Sequence, residues 1–307
     1  MTKNRTRRSI IVLVVLILLT IAAALVACVV GQVHATPHDV TNTILMSWGV
    51  KSDGTTPRIV TSTLWEVRFP RLVIALAVGA GLGCAGALLQ GIFANPLAEP
   101  SIIGVSSGGA VFASGLLAIA SLAGVERSYG FLKWGTALAA FIGALLTTLL
   151  VYSLSRVQGK TVVVNLILVG VAINAMAGGF VTLFSFIGGT MAQSQVVFWQ
   201  LGSLAGAGWS SAVITLIITV IGIVIACLCA PKMDLLALGE NQARHLGVNV
   251  ERFRLCVIIL VAALVGVGVA FAGVIAFVGL IVPHAIRLII GPQHKWLLPT
   301  SAFGGAF

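Results

Sequence analysis

Two glycine-containing motifs in this 307-residue chain have the spacing of nucleotide-binding loops. Residues 81–86 spell G-x-G-x-x-G, a pattern that holds a dinucleotide when it follows a strand and opens a helix. Residues 159–161 read Gly-Lys-Thr, but a phosphate-binding loop would also need a glycine at the position of Leu154. The first motif lies inside a long apolar run, where helix packing through small residues explains it better. We therefore predict no nucleotide site here, and any ATP that drives this protein must bind to another chain.

Ionisable side chains, which could couple transport to protons or ions, are almost absent from the apolar runs. His284 and Arg287 come closest, but they fall near the predicted inner end of a helix, where a long side chain can reach the interface. A secondary transporter or a channel stays an alternative. The sequence favours a protein whose energy comes from outside this chain.

The composition identifies the class of protein that must position these residues. Apolar residues make up 59% of the chain and charged residues only 8%, so a water-soluble fold could not bury its apolar surface. The apolar runs are continuous rather than alternating, which indicates helices and excludes a transmembrane barrel. The sequence predicts an all-α polytopic membrane protein.

In a membrane protein, the cysteines and the net charge of +10 have a different meaning than in a soluble one. The five cysteines all fall in or beside apolar runs, and an odd number there does not indicate a disulfide framework. The Cys227 and Cys229 pair is better explained as small residues in a span than as ligands, so no metal site is predicted. The positive charge indicates orientation in a membrane rather than binding to nucleic acid.

Apolar runs long enough to cross a bilayer recur along the chain. Lys and Arg concentrate in the segments that lie inside when the N-terminus is cytoplasmic, which predicts that orientation. The run at residues 255–290 is too long for one helix and short for two, so we predict a span, a turn near Gly273 and a short return helix. The preceding predicted spans are residues 10–31, 72–92, 102–123, 134–154, 162–186 and 211–230.

Three polar segments are predicted to lie outside. They are residues 34–65, a loop that contains Glu126 and Arg127, and the uncharged segment 188–210. Trp199 and Trp209 are expected to anchor that last segment at the membrane interface.

Residues 231–254 are predicted to form an inner loop that is rich in charge. Within it, apolar and polar side chains are mixed over residues 235–248, and Gly239 breaks the pattern. This indicates two short amphipathic helices that can dock in a groove of a partner. A solvated basic loop is the alternative.

Several motifs follow one pattern in combination. They are RFPR at 68–71, GAGLGCAG at 79–86, NPLAEP at 95–100, GVSSG at 104–108, LALGE at 236–240, LGV at 246–248 and GLIVPH at 279–284. This combination closely resembles the FecCD-type permeases of ABC importers for iron–siderophores, haem and cobalamin. The likeness runs from about residue 60 to the end of the chain.

The resemblance implies a role for three groups of residues. Arg68 and Arg71, three apart and on one face of a helix start, are expected to dock the substrate-binding protein through salt bridges; anchoring at the interface is the alternative. An inner gate is expected at Asn95, Pro96 and Leu97, for which a merely structural turn is the alternative, with a second gate segment at Val163 and Val164. Coupling to the ATPase is expected at Leu235, Leu236, Leu238, Gly239, Glu240, Ala243, Arg244, Leu246 and Gly247.

The resemblance also implies a type II ABC importer permease fold for a single transmembrane domain over residues 1–307, with 231–254 as the cytoplasmic coupling loop. No catalysis is expected in this chain, and ATP and Mg²⁺ would bind to partner ATPase subunits. The other expected partners are an extracytoplasmic binding protein, a second permease subunit and the lipid of a bacterial cell membrane. Iron–siderophore complexes are the first substrate expected, followed by haem and cobalamin.

The number of spans differs from the pattern of the family. The family has about ten spans, whereas this chain is expected to hold eight and the start of a ninth. A truncated permease that does not transport is therefore also kept as an alternative.

Overall fold

The computed structural model describes residues 2–49, 54–124 and 129–307. The part of the predicted outer segment at residues 50–53, and the predicted loop residues Glu126 and Arg127, lie outside the described residues. The described residues form α1 (Thr2–Val29), α2 (Pro37–Ser47), α3 (Arg58–Ser62), a π-helical turn (Thr63–Arg68), α4 (Phe69–Ile92), a 3-10 turn (Pro100–Ile103), α5 (Val105–Leu122), α6 (Tyr129–Leu154), a hairpin of β1 (Arg156–Val157) and β2 (Lys160–Thr161), α7 (Val163–Ile187), α8 (Gly189–Leu201), α9 (Trp209–Ala237), α10 (Glu240–His245), α11 (Val250–Ala272), α12 (Val278–Ile290) and α13 (His294–Ala306).

Seven helical stretches in the described residues are long and apolar enough to cross a membrane. They correspond to the predicted spans, and the all-helical class predicted from composition is confirmed. The second stretch is longer than expected, because α3, the π-helical turn and α4 are continuous over Arg58–Ile92. Pro70 would clash with the carbonyl four residues back in a regular helix, and here it lies two residues after the end of the wider π-helical turn.

The core of the bundle is built around α4, and the G-x-G-x-x-G motif lies in the middle of this helix. A Cβ atom at Gly83 would lie 2.1 Å from the carbonyl oxygen of Ser301 in α13. At Gly86 it would lie 1.7 Å from the carbonyl oxygen of Gly279 in α12. The motif therefore brings helix backbones into direct contact, as predicted, and does not form a nucleotide loop.

The final apolar run breaks where the sequence predicts. Helix α11 ends at Ala272, and Gly273 adopts a φ of +74°, which favours glycine. The backbone N–H of Ser203 donates to Ala272 O (2.8 Å) and that of Val274 to Trp199 O (3.2 Å), so the end of α8 holds the break in place. Helix α12 then runs back as the short return helix.

One expectation about the coupling loop is wrong. Residues 235–248 do not form two separate short helices, because α9 continues through Pro231 to Ala237 and only α10 is separate. The continuation is favoured because Met233 and Leu236 still pack against the core. Gly239, with a φ of +118°, supplies the predicted break.

The segment 188–210, predicted to lie at the outer interface, contains regular structure. It contains α8, and the Trp199 ring packs against two buried clusters of the protein rather than standing outside them. Trp209 donates its ring N–H to Trp65 O at 2.8 Å, and the two indole rings lie 4.9 Å apart. Both tryptophans therefore hold helix ends together, and their anchoring at the membrane interface stays a prediction.

Candidate functional site

The residues of interest are distributed over the two ends of the bundle. We call one of them the α10 end: it holds the last turn of α4, the last turns of α9, the hairpin and the starts of α7 and α11. The opposite end holds the last turn of α1 and the start of α4. The segment from Leu235 to Gly247, called the coupling segment below, forms the surface of the α10 end.

The coupling segment combines a buried anchor with an exposed apolar edge. Ala243 is completely buried and Leu236 is buried, which fixes the segment to the bundle. Leu238 and Leu246 are 65% and 62% exposed. Two large apolar side chains on a polar end of the molecule are typical of a docking edge rather than of a solvated loop.

A cluster of charges lies beneath the coupling segment, and we call its four members the α10 charge cluster. Arg254 is only 2% exposed; its Nη2 lies 2.6 Å from Glu240 Oε1 and its Nη1 lies 3.4 Å from Glu251 Oε1. Arg244 lies farther out, with Nη2 3.7 Å from Glu240 Oε2 and 3.9 Å from Glu251 Oε1. Sequence reasoning missed Glu251 and Arg254, although their spacing of three on a helix was a signal.

The predicted gate residues of the α4–α5 loop form a compact turn. Asn95 Oδ1 accepts the N–H of Leu97 at 2.9 Å, and the N–H of Ala98 donates to Asn95 O at 3.1 Å. Pro96 is exposed and the Leu97 side chain is 65% exposed. Asn95 thus folds the loop so that Leu97 projects from it.

Glu99 holds the same loop to α12, which sequence reasoning did not foresee. Glu99 Oε1 accepts the backbone N–H of Phe277 at 3.0 Å. Phe277 has a left-handed φ of +68° and immediately precedes α12. The carboxylate therefore lies at the positive end of a short helix, where a negative charge is stabilised.

The second predicted gate segment is the first turn of α7. Val163 packs partly against the core, whereas Val164 is 64% exposed. The α4–α5 loop approaches α7 farther along the helix than Val164. A Cβ atom at Gly170, roughly two turns after Val164, would lie 1.9 Å from Ile102 O in the 3-10 turn that follows this loop. The structure therefore ties the α4–α5 loop to α7 through the 3-10 turn.

The two predicted docking arginines have different surroundings. Nη1 of Arg68 donates to Cys28 O (2.5 Å) and Val29 O (3.1 Å), and Nη2 donates to Val33 O. Arg68 thus caps the C-terminus of α1, where a cation is favourable. Arg71 is exposed, and both arginines line one open cavity of about 530 Å³ at this end of the bundle.

Metal chemistry has no evident centre in the described part of the chain. Among residues 2–49, 54–124 and 129–307, no group of three or more His, Cys, Asp or Glu side chains is placed to hold a metal ion. The five cysteines are free thiols.

A bundle of apolar helices, an exposed apolar edge at one end and loops that interrupt the spans define a polytopic membrane permease. The family model of the FecCD transport family matches residues 12–307, and the chain belongs to that family. Its members are transport permeases of ABC importers and not enzymes, so the resemblance drawn from the motifs is confirmed.

Two relatives illustrate the family. The chain is 38% identical over 245 residues to the hemin transport system permease protein HmuU of Yersinia pestis, covering 79% of this chain and 72% of that protein. It is 40% identical over 242 residues to the cobalamin import system permease protein BtuC of Halobacterium salinarum. That alignment covers 78% of this chain and 63% of the relative.

A solved structure shares the fold. It is an inward-facing conformation of a metal-chelate type ABC transporter, with a TM-score of 0.78 and 31% identity over 96% of this chain and 86% of that chain. The predicted fold class, the permease fold of ABC importers, is confirmed by this likeness.

Proposed function

We propose that this permease imports metal chelates with energy from ATP that binds to separate ATPase subunits. The single observation that carries the proposal is the coupling segment, where Leu238 and Leu246 expose an apolar edge on a buried anchor. An ATPase groove that received this edge would move α10 on binding ATP and Mg²⁺. This chain would supply no cofactor site of its own.

The assembly that we propose contains two permease subunits, with the pathway between them, and a substrate-binding protein at the opposite end. Arg71 is exposed there and is the better placed of the two predicted docking arginines, since Arg68 caps α1. In this orientation the N-terminus and the α10 end are cytoplasmic, as the distribution of Lys and Arg predicts. The gate would consist of Asn95, Pro96 and Leu97 together with Val163 and Val164.

The proposed substrates are iron–siderophore complexes first, followed by haem and cobalamin. Iron–siderophore complexes come first because they are the commonest assignment in the family that the motifs resemble, whereas the names of the two relatives give hemin and cobalamin for those proteins. All three are bulky metal chelates. The binding protein would make most of the choice.

The test uses the full transporter, with the ATPase and the binding protein, in proteoliposomes. We expect uptake of one of the three chelates that depends on ATP, and we expect Leu238→Asp with Leu246→Asp to abolish capture of the ATPase in a pull-down. Gln293→Asp is the matched control, because it adds a carboxylate at an exposed position of the same end, outside the coupling segment.

Two results would contradict the proposal. Uptake that persists without the ATPase and follows an ion gradient would indicate a secondary transporter. Capture of the ATPase by the double Asp variant would show that the coupling segment is not its docking edge.

A further inference from the structure

The α10 charge cluster joins two elements through a buried cation. Arg254 lies in the first turns of α11, Glu240 begins α10, and the distance between Nη2 and Oε1 is 2.6 Å. A charge that is 2% exposed is stable only while its partners stay in place, because removing one leaves the charge buried without compensation. The start of α11 is therefore bound to follow α10 when α10 moves.

The cluster continues from α11 to the hairpin that precedes α7. Glu251 Oε2 accepts the hydroxyl of Thr161 at 2.8 Å and the backbone N–H of Thr161 at 3.3 Å. Tyr152, at the end of α6, donates its hydroxyl to Glu251 O at 3.4 Å. One carboxylate group thus faces Arg254 with one oxygen and the hairpin with the other.

A groove confirms that the hairpin lies against the coupling loop. A cavity of about 360 Å³ is lined on one side by Gln158, Gly159 and Lys160 and on the other by Arg244 and residues 248–251. The left-handed φ angles of Gln158 (+50°) and Gly159 (+78°) make the hairpin a tight two-residue turn.

We propose that Glu240, Arg254, Glu251 and Thr161 form a relay that passes the movement of α10 to the start of α7. The relay ends at Thr161, two residues before Val163, the first residue of α7. It rests on the proposed function, because it assumes that an ATPase moves α10. Arg254, Glu251 and Thr161 act in it as positioning residues and do not touch the substrate.

The test compares two substitutions at Thr161 in the complete transporter. Thr161→Val keeps the shape of the side chain and removes the hydroxyl that donates to Glu251, whereas Thr161→Ser keeps the hydroxyl. Arg252→Gln is the control. Arg252 lies on the same turn of α11 as Glu251, but it is exposed and is not a member of the relay, so this variant tests whether any change on that turn has an effect. In a background whose five native cysteines are replaced, Val164→Cys reports movement of α7 through its rate of labelling by a soluble maleimide.

We expect wild type, Thr161→Ser and Arg252→Gln to show a labelling rate at position 164 that changes with ATP. In Thr161→Val this change should be lost, and uptake per ATP hydrolysed should fall about tenfold, the effect of losing one hydrogen bond to a charged group. Capture of the ATPase and the rate of hydrolysis should stay at the level of wild type. A purely structural role would lower these last two quantities as well.

Other outcomes overturn the relay. If Thr161→Val labels and transports as wild type does, the hydroxyl of Thr161 transmits nothing and the relay is wrong. If Thr161→Val loses the ATPase, the residue serves assembly and not transmission. If wild type itself neither captures the ATPase nor imports any of the chelates, the proposed function fails, and the relay fails with it.

Discussion

Nδ1 of His294 lies 2.8 Å from Oδ1 of Asp234, and the same oxygen accepts the backbone N–H of His294 at 2.9 Å. This pair ties the first residue of α13 to the last turns of α9, directly before the coupling segment. His294 is buried, and burial lowers the pKa of its ring, while the hydrogen bond and the charge of Asp234 oppose that shift. Arg287, which lies nearby, adds to the lowering of the pKa.

Stability should therefore depend on pH through His294. Its pKa in the folded protein is below the ordinary value of 6.5, so the unfolded chain binds the proton first as the pH falls. The contribution of the neutral ring is fully present above about pH 6.5 and is lost below it. We expect the melting temperature in nanodiscs to drop between pH 7.5 and 5.5, with a smaller drop for His294→Asn. Equal slopes for the two proteins would show that another group controls the effect.

Gly86 should be among the least tolerant positions of α4. Its Cβ would lie 1.7 Å from Gly279 O, so even Gly86→Ala must push α12 away from α4. We expect a loss on the order of 3 kcal/mol, at the upper range for overpacking, measured by thermal unfolding in detergent. The control is Gly178→Ala in α7, where nothing lies within 4 Å of the new Cβ and alanine is the better helix former. Similar melting temperatures for the two variants would contradict the close contact.

Substitutions of Arg68 should lower stability, whereas substitutions of Arg71 should weaken docking of the binding protein. Arg68→Ala removes the donors to the end of α1 and should cost on the order of 2 kcal/mol of stability. Arg71→Ala should leave the melting temperature unchanged and weaken binding-protein affinity by about 1 kcal/mol, with a larger loss for Arg71→Glu. Affinity is measured on reconstituted permease at two salt concentrations. A wild-type affinity for Arg71→Glu would leave Arg71 as a membrane anchor only.

Glu99 should hold the α4–α5 loop to α12 through its oxygen. Glu99→Ala leaves the N–H of Phe277 without this acceptor, and we expect a loss of about 1–3 kcal/mol in stability. Glu99→Gln retains an acceptor oxygen and should lose less. Thermal unfolding and chelate uptake, measured together, check whether the loop and the pathway respond in parallel. Equal behaviour of the two variants would mean that the hydrogen bond is not what the carboxylate contributes.

Hydropathy was sufficient to predict the spans, because the requirement to fill a bilayer with apolar side chains acts on contiguous residues. The break at Gly273 was predictable for the same local reason, since glycines interrupt an apolar run. The family motifs predicted the permease class, which the family model confirms, and the coupling role that they imply for residues 235–247 stays a prediction.

The contacts that define the site could not be predicted, because they join residues far apart in the chain. Arg68 reaches back to Val33, and Thr161 meets Glu251 ninety residues later. The continuation of α9 past Pro231 was missed for a related reason: burial of Met233 and Leu236 against other helices outweighs the local tendency of proline to end a helix.

The glycine face of α4 has a consequence for the biogenesis of the molecule. Gly79 and Gly83 receive the backbone of α13, and most of the chain is synthesised between these two helices. During synthesis α4 enters the membrane early. Its glycines therefore contact lipid or the insertion machinery until α13 has been synthesised. We therefore expect the bundle to close late, in one step, rather than to grow helix by helix from its N-terminus.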